Sequence, residues 1–148
     1  MNEQARPDKT PAEIVLTVQD RIEIQDLIAE FNYHEDSGAA AAWAALFTEG
    51  GSMTGMGKKP VVGRDDLLAL ATRRWETKPE AHGRAHWVCS IRIWATETGA
   101  AAESYQMSVD RDESGFRIVA VTIKADDLRK EDGRWRFQAR RVLPLGGA

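Results

Sequence analysis

The hydrophobic period of this chain changes once, just after Pro79, and that change limits the fold more than any other feature. Before it, apolar residues recur at helical spacing. Ile24, Leu27, Ile28 and Phe31 stand at i, i+3, i+4 and i+7, one face of an α-helix. Thr17-Val18-Gln19-Asp20 has the form of a capping box with Asp in place of Glu, and Ser37-Gly38 is a stop, so the spacing predicts a helix over 17–36. Trp43, Leu46 and Phe47 predict a shorter helix over 39–47, broken by Gly50-Gly51. Leu67, Leu68, Leu70, Ala71 and Trp75 predict a third over 64–77, with Asp65-Asp66 at its positive end and Pro79 closing it. Between the last two, Ser52–Met56 reads as a short strand and Val61-Val62 as an extended piece.

Beyond Pro79 the period is 2. Strands are predicted over 84–96, 100–109, 116–126 and 134–143, with polar hairpin loops at 110–115 and 126–133. On the first of them, alternation puts His86, Val88, Ser90, Arg92 and Trp94 on one face and Trp87, Cys89, Ile91 and Ile93 on the other. Helices first and an antiparallel meander second indicate an α+β domain. A curved sheet would wrap the helices, and the concave space between them would be the pocket. Apolar residues on both faces of one strand imply that the outer face is also covered, so a homo-oligomer is expected.

The chain has 148 residues, enough for one domain and too few for two. Residues 1–16, with two prolines and many charges, read as a flexible tail, and 17–148 as the domain. A net charge of −3 gives no footprint for nucleic acid. The run Arg134–Arg141 instead reads as a strand with Trp135, Phe137 and Ala139 on one face. A single cysteine, Cys89, rules out an internal disulfide and a multi-cysteine metal site. No apolar stretch approaches the ~18 residues of a membrane helix, and the polar N-terminus does not resemble a secretory signal. A cytoplasmic protein without membrane contact is expected. No phosphate-binding glycine loop and no zinc or hydrolase motif is present, so neither a metal nor an organic cofactor is expected.

The three histidines differ in setting. His34 ends the first helix and reads as solvated, and His82 lies in the polar loop Glu80–Gly83. His86 stands on an apolar strand, where both ring nitrogens need partners. Those partners are either backbone groups or a catalytic neighbour. Asp36 reads as a solvated carboxylate or a cap unless the fold brings it to a partner. Trp43, Phe31, Met53 and Met107 are candidates to line an apolar pocket, while most of the five tryptophans read as core or interface.

Several segments together resemble the SnoaL-like proteins of the NTF2-like superfamily, in order, over residues 17–143. They are Arg21–Ile28, then Asp36, then Trp43–Gly51; the glycine-led Gly63-Arg64-Asp65-Asp66-Leu67; the strand Ala85–Ser90; and the hairpin Leu128–Phe137 followed by Arg140-Arg141-Val142. The resemblance implies a cone-shaped α+β barrel, its curved and mostly antiparallel sheet wrapped around the N-terminal helices. The similar branch holds scytalone dehydratase and the dehydrochlorinase-like enzymes. By that resemblance Asp36 and His86 are the catalytic dyad and Arg140 a pocket arginine, although alternation from Trp135 would put Arg141 on its face. It also marks three substrate-facing positions. Phe31 stands where a related enzyme has tyrosine, Tyr33 is two residues on, and Ser90 replaces the family's usual Asn. The implied activity is a cofactor-independent lyase, dehydratase or dehydrohalogenase in type, or an isomerase or cyclase, acting on an apolar ring-containing small molecule. Related dehydratases imply a trimer ahead of a dimer. The alternative is a non-catalytic small-molecule-binding or assembly subunit of the same fold.

Overall fold

The computed structural model describes residues 15–146. Nearly all of the tail expected at 1–16 lies outside them. Helix α1 (Val18–Ser37) opens on the expected capping box, in which the Thr17 hydroxyl accepts from the Asp20 amide and the Asp20 carboxylate accepts from the Thr17 amide. Its stripe of Ile24, Leu27, Ile28, Phe31 and Asn32 is buried. Helix α2 (Ala40–Ala45) and strand β1 (Phe47–Thr54) follow. The helix expected over 39–47 therefore ends early, because the Phe137 amide donates to the Leu46 carbonyl and draws Phe47 into the sheet. Then come β2 (Val61–Val62), α3 (Arg64–Thr77), β3 (Ala85–Thr96), β4 (Gly99–Asp112), β5 (Gly115–Glu131) and β6 (Arg134–Pro144).

The six strands form one sheet in the order β2-β1-β6-β5-β4-β3, antiparallel except where β1 runs parallel to β6. The sheet curves around α1 in an α+β cone. The expected loop at 126–133 shrinks to Asp132-Gly133, both at positive φ (53° and 75°), as a tight hairpin turn requires. Asp126 thus lies within the sheet.

Two of the sheet's β-bulges, on β3 and β6, redirect side chains at the concave face. Cys89 faces Tyr105 and Arg92 faces Glu103, so β3 holds one residue more than β4 there, and Ser90 takes φ 53°. His86 and Val88 face inward before the bulge, opposite the buried Ser108 and Gln106. Ile91 and Ile93 pack on the core after it, and Trp94 is turned out, 45% exposed. The simple alternation that grouped Ser90, Arg92 and Trp94 with His86 fails at this point. On β6, Leu128 faces Phe137 and Asp127 faces Ala139, which leaves Gln138 as the extra residue. Arg140, rather than Arg141, then joins Trp135 and Phe137 on the buried face.

The concave face is consequently graded from one end to the other. At the closed end Ala100, Leu128, Phe137 and Phe47 lie in register across four strands. Phe31 and Trp43 pack on them, with ring centroids 5.1–6.2 Å apart through the cluster. Each such ring contributes roughly 1.5–3 kcal/mol through burial. One row further along, Asp126 faces Arg140, and the next pairs Ser104 with Lys124. Then come Gln106 with Thr122, and finally His86 with Ser108 at the open end.

Candidate active site

The C-terminus of α1 is shaped so that a side chain can approach it. Gly38 ends the helix at φ 71°, and a Cβ there would fall 2.3 Å from the Trp75 ring. Only glycine lets α3 lay Trp75 across this helix end. The last turn of α1 then lies against the start of β3. Two hydrogen bonds join them across fifty residues of sequence. The His86 backbone amide donates to Asp36 Oδ2 at 3.0 Å, and the His86 ring donates from Nδ1 to Asp36 Oδ1 at 2.5 Å. A carboxylate only accepts, so Nδ1 carries a proton, and in the neutral ring the lone pair is therefore on Nε2. The two bonds hold both ring orientation and tautomer. The His86 and Asp36 side chains are 16% and 24% exposed, so the pair is reachable but mostly shielded.

Glu35 adds a second carboxylate, its Oε2 3.8 Å from His86 Nδ1, and Arg74 lies 3.8 Å from its other oxygen. Arg84 clamps Asp110 from Nε and Nη2 at 2.6 and 2.9 Å, tying the entry of β3 to β4 beside His86. The Arg84 guanidinium holds the Asp110 carboxyl below the usual carboxylate range. The dyad opens on a cavity of about 230 Å³, walled by Trp43 and Trp75 and rimmed by Glu35, Arg74 and Arg84. The exposed His82 forms part of the wall. Its ring stacks on Trp75 at 3.8 Å, and its Nε2 donates to the Trp75 carbonyl at 2.8 Å.

The other residues singled out in the sequence fall in three places. Trp43 lines the cavity, with its indole N–H buried and unpartnered. Phe31 and Arg140 lie deeper and are fully buried, the guanidinium 4.1 Å over the Phe31 ring and 4.6 Å over that of Phe137. Met53 is core, beside Arg140 across the β1–β6 pair. Three expected lining residues face elsewhere. Tyr33 is 75% exposed on the outer side of α1, opposite the stripe that packs on the sheet. Ser90 sits exposed in the bulge, its backbone turned by the positive φ. Met107 pairs with the exposed Trp87 on the outer face of the sheet, because the parity of β4 places Gln106 and Ser108 inward.

The sequence did not single out Glu35, Arg74, Lys124 or Asp126. Lys124 and Asp126 alternate with Thr122 and Leu128 as the buried positions of β5. Burial pushes the Lys124 ammonium down to about 8 and the Asp126 carboxyl up to about 6. Arg140 lies 3.6 Å from Asp126, and burial lowers its affinity for the proton as well. The parity of this face was available in the sequence, but polar residues at three of its positions gave it the look of an outer face.

Residues 16–141 match the SnoaL-like domain. An NTF2-like protein with a cystatin-like fold from Novosphingobium aromaticivorans is 26% identical, with a TM-score of 0.79 over 88% of this chain and 85% of its own. A candidate scytalone dehydratase from the same organism is 21% identical, with a TM-score of 0.71 over 88% and 96%. A Catenulispora acidiphila protein, solved in complex with S-DNPA, is 20% identical, with a TM-score of 0.71 over 85% and 95%. No curated protein matches the chain significantly. The matched domain takes in both members of the Asp36–His86 pair and all of the sheet but the last three residues of β6, and the chain belongs to the SnoaL-like family.

Proposed function

We propose that the protein is a lyase of the dehydratase or dehydrohalogenase type, acting without a cofactor on a ring-containing small molecule. The observation that carries this reading is the 2.5 Å bond from His86 Nδ1 to Asp36, which reserves Nε2 of the neutral ring for proton transfer beside a cavity of molecular size. In the proposed reaction Nε2 takes a proton from a carbon of the substrate. The C–H pair becomes the new π bond while the leaving group departs from the adjacent carbon with its own bond pair. Asp36 stabilises the imidazolium as it forms, as the carboxylate of a catalytic triad does. The same Nε2–H then protonates a departing hydroxide, so proton and leaving group come off one face of the ring. Trp43 supplies an apolar wall against which a ring can lie, beside Trp75, whose face already carries the His82 ring. Arg140 lies behind Phe31 and away from the dyad cavity, and acts only as a buried positive charge in the wall of the cone. The active form is proposed to be a cytoplasmic homo-oligomer, a trimer ahead of a dimer.

The test is turnover of cyclic β-hydroxy ketones and β-halo ketones, followed by the absorbance of the conjugated enone product. The wild type is expected to convert members of this class. His86→Ala should abolish conversion, and Asp36→Asn should reduce it by a factor on the order of 10²–10⁴. Both variants should retain the wild-type circular dichroism. Full activity in folded His86→Ala would remove the proposal.

A further inference from the structure

The concave wall below the dyad is polar where a core should be apolar. Lys124 is 4% exposed, yet it belongs to none of the ion pairs within 4 Å among the described residues. Its cross-strand neighbour Ser104 and the diagonal Gln106 are buried, and the Ser104 hydroxyl and the Gln106 side-chain oxygen have no partner. On the buried stripe of α1, Asn32 is 4% exposed with both amide atoms unpartnered. In the next row all three guanidinium nitrogens of Arg140 and both oxygens of Asp126 make no hydrogen bond. Buried polar atoms are nearly always satisfied by protein, water or ligand. A cluster of this size that satisfies few of its own members is built to meet something else.

The charge of that missing group follows from the residues present. Lys124 and Arg140 bring two positive charges, and Asp126 returns one. Glu35 acts on both cations but is already engaged by Arg74 and faces His86. One positive charge remains, surrounded by hydroxyl and amide groups. A carboxylate supplies one negative charge and two acceptor oxygens, which matches both needs. A neutral hydroxyl would leave the cation uncompensated at a cost.

Position relates this cluster to the dyad. Lys124 stands two strands from His86 and four residues further along the sheet. At about 3.3 Å per residue and 4.8 Å per strand, the two Cα atoms are about 16 Å apart along the surface. Both side chains lie on the concave face, His86 opposite Ser108 and Lys124 opposite Ser104. Glu35 links the two places, since it lines the dyad cavity and is close enough to Lys124 to act on its charge.

We infer that Lys124, with Ser104 and Gln106, forms an inner subsite for the carboxylate of the substrate, so that the molecule turned over is a ring-containing acid held with its ring against His86. This rests on the dyad as the reacting end. Arg140 and Asp126 are the positioning pair behind the subsite, setting its net charge.

The experiment measures binding alone, by calorimetry with 2-naphthoate and its neutral counterpart 2-naphthamide. The wild type should bind naphthoate at least ten-fold more tightly than naphthamide. Lys124→Met should lose that preference by weakening naphthoate alone, and Lys124→Arg should restore most of it. His86→Ala should keep the preference intact, which separates this inference from the fate of the dyad. Equal affinity for the two probes, or no binding of naphthoate, overturns the subsite in the wild type alone. So does an unchanged preference in Lys124→Met. Near-UV circular dichroism of each variant confirms that altered binding is not unfolding.

Discussion

A lysine buried without an ion pair costs stability, and Lys124 makes that cost measurable. Its pKa falls from 10.5 to about 8 in the folded chain, chiefly through burial and then through Arg140, with Arg74 acting in the same direction and Glu35 and Asp126 opposing. Between about 8 and 10.5 the unfolded chain binds a proton that the folded chain does not. Stability from this group therefore rises with pH across that window, and the full penalty applies below it. A shift of this size corresponds to on the order of 3 kcal/mol at pH 7. Asp126 works the other way, raised from 3.8 to about 6, so its contribution is complete below 3.8 and is lost as pH rises through 6. Lys124→Met, similar in length and uncharged, should be more stable than the wild type at pH 7 and should lose the rise above pH 8. Urea melts at pH 7, 9 and 10 check this, and a Lys124→Met protein less stable than wild type at pH 7 would contradict it. A residue whose removal stabilises the fold is held there for function.

At the scale of elements, what could be read from the sequence depended on whether a regular period persisted. The capping box and stripe of α1 and the helix at 64–77 follow unbroken periods, the strands after Pro79 keep period 2 over most of their length, and all are present. The two bulges have no periodic signature, because each is a single inserted residue. They decide which side chains enter the cone: Ile93 and not Trp94 on β3, Arg140 and not Arg141 on β6. Asp36 and His86 were legible only through family resemblance, since no spacing rule reaches across fifty residues. The inner polar rows were hidden for another reason: Lys124 and Asp126 are inward residues of a type that period-2 reading assigns to solvent. The bulge on β3 gives a direct test. Ser90 holds φ 53°, a region that penalises a side chain and most of all a β-branched one. Ser90→Gly should be neutral or stabilising by up to about 1 kcal/mol, and Ser90→Val should cost roughly 1–2 kcal/mol. If thermal unfolding ranks Val above Gly, the bulge is not where β3 changes face.

The whole molecule has two working faces, and the outer one predicts its assembly. Trp87, Met107 and Val121 lie in register across β3, β4 and β5, and Cys89, Tyr105, Ile123 and Leu143 form the next outward row, extending to β6. Trp87 is 58% exposed and Tyr105 45%, so large rings stand on a continuous sheet surface. A contiguous apolar patch on a sheet marks an association surface, and a second copy of the chain offers the same patch in return. The inner face is already occupied by α1 and the core, so assembly through the outer rows leaves the cavity entrance at the end of the cone untouched. Sedimentation at micromolar concentration should therefore give a multiple of 16.5 kDa; the preference for three copies over two comes from the family resemblance and not from this patch. A double variant, Trp87→Glu with Tyr105→Glu, should shift the protein toward the single-chain mass by placing like charges on the shared surface. Because both residues point away from the dyad, the variant should keep the naphthoate preference and the near-UV signature of the core aromatics. A wild-type protein that sediments at 16.5 kDa would show that this face is solvated and that the outward tryptophans serve some other contact. If the double variant dissociates and also loses the acid preference, then the cavity depends on assembly, and a neighbouring copy must help to hold α1 against β3.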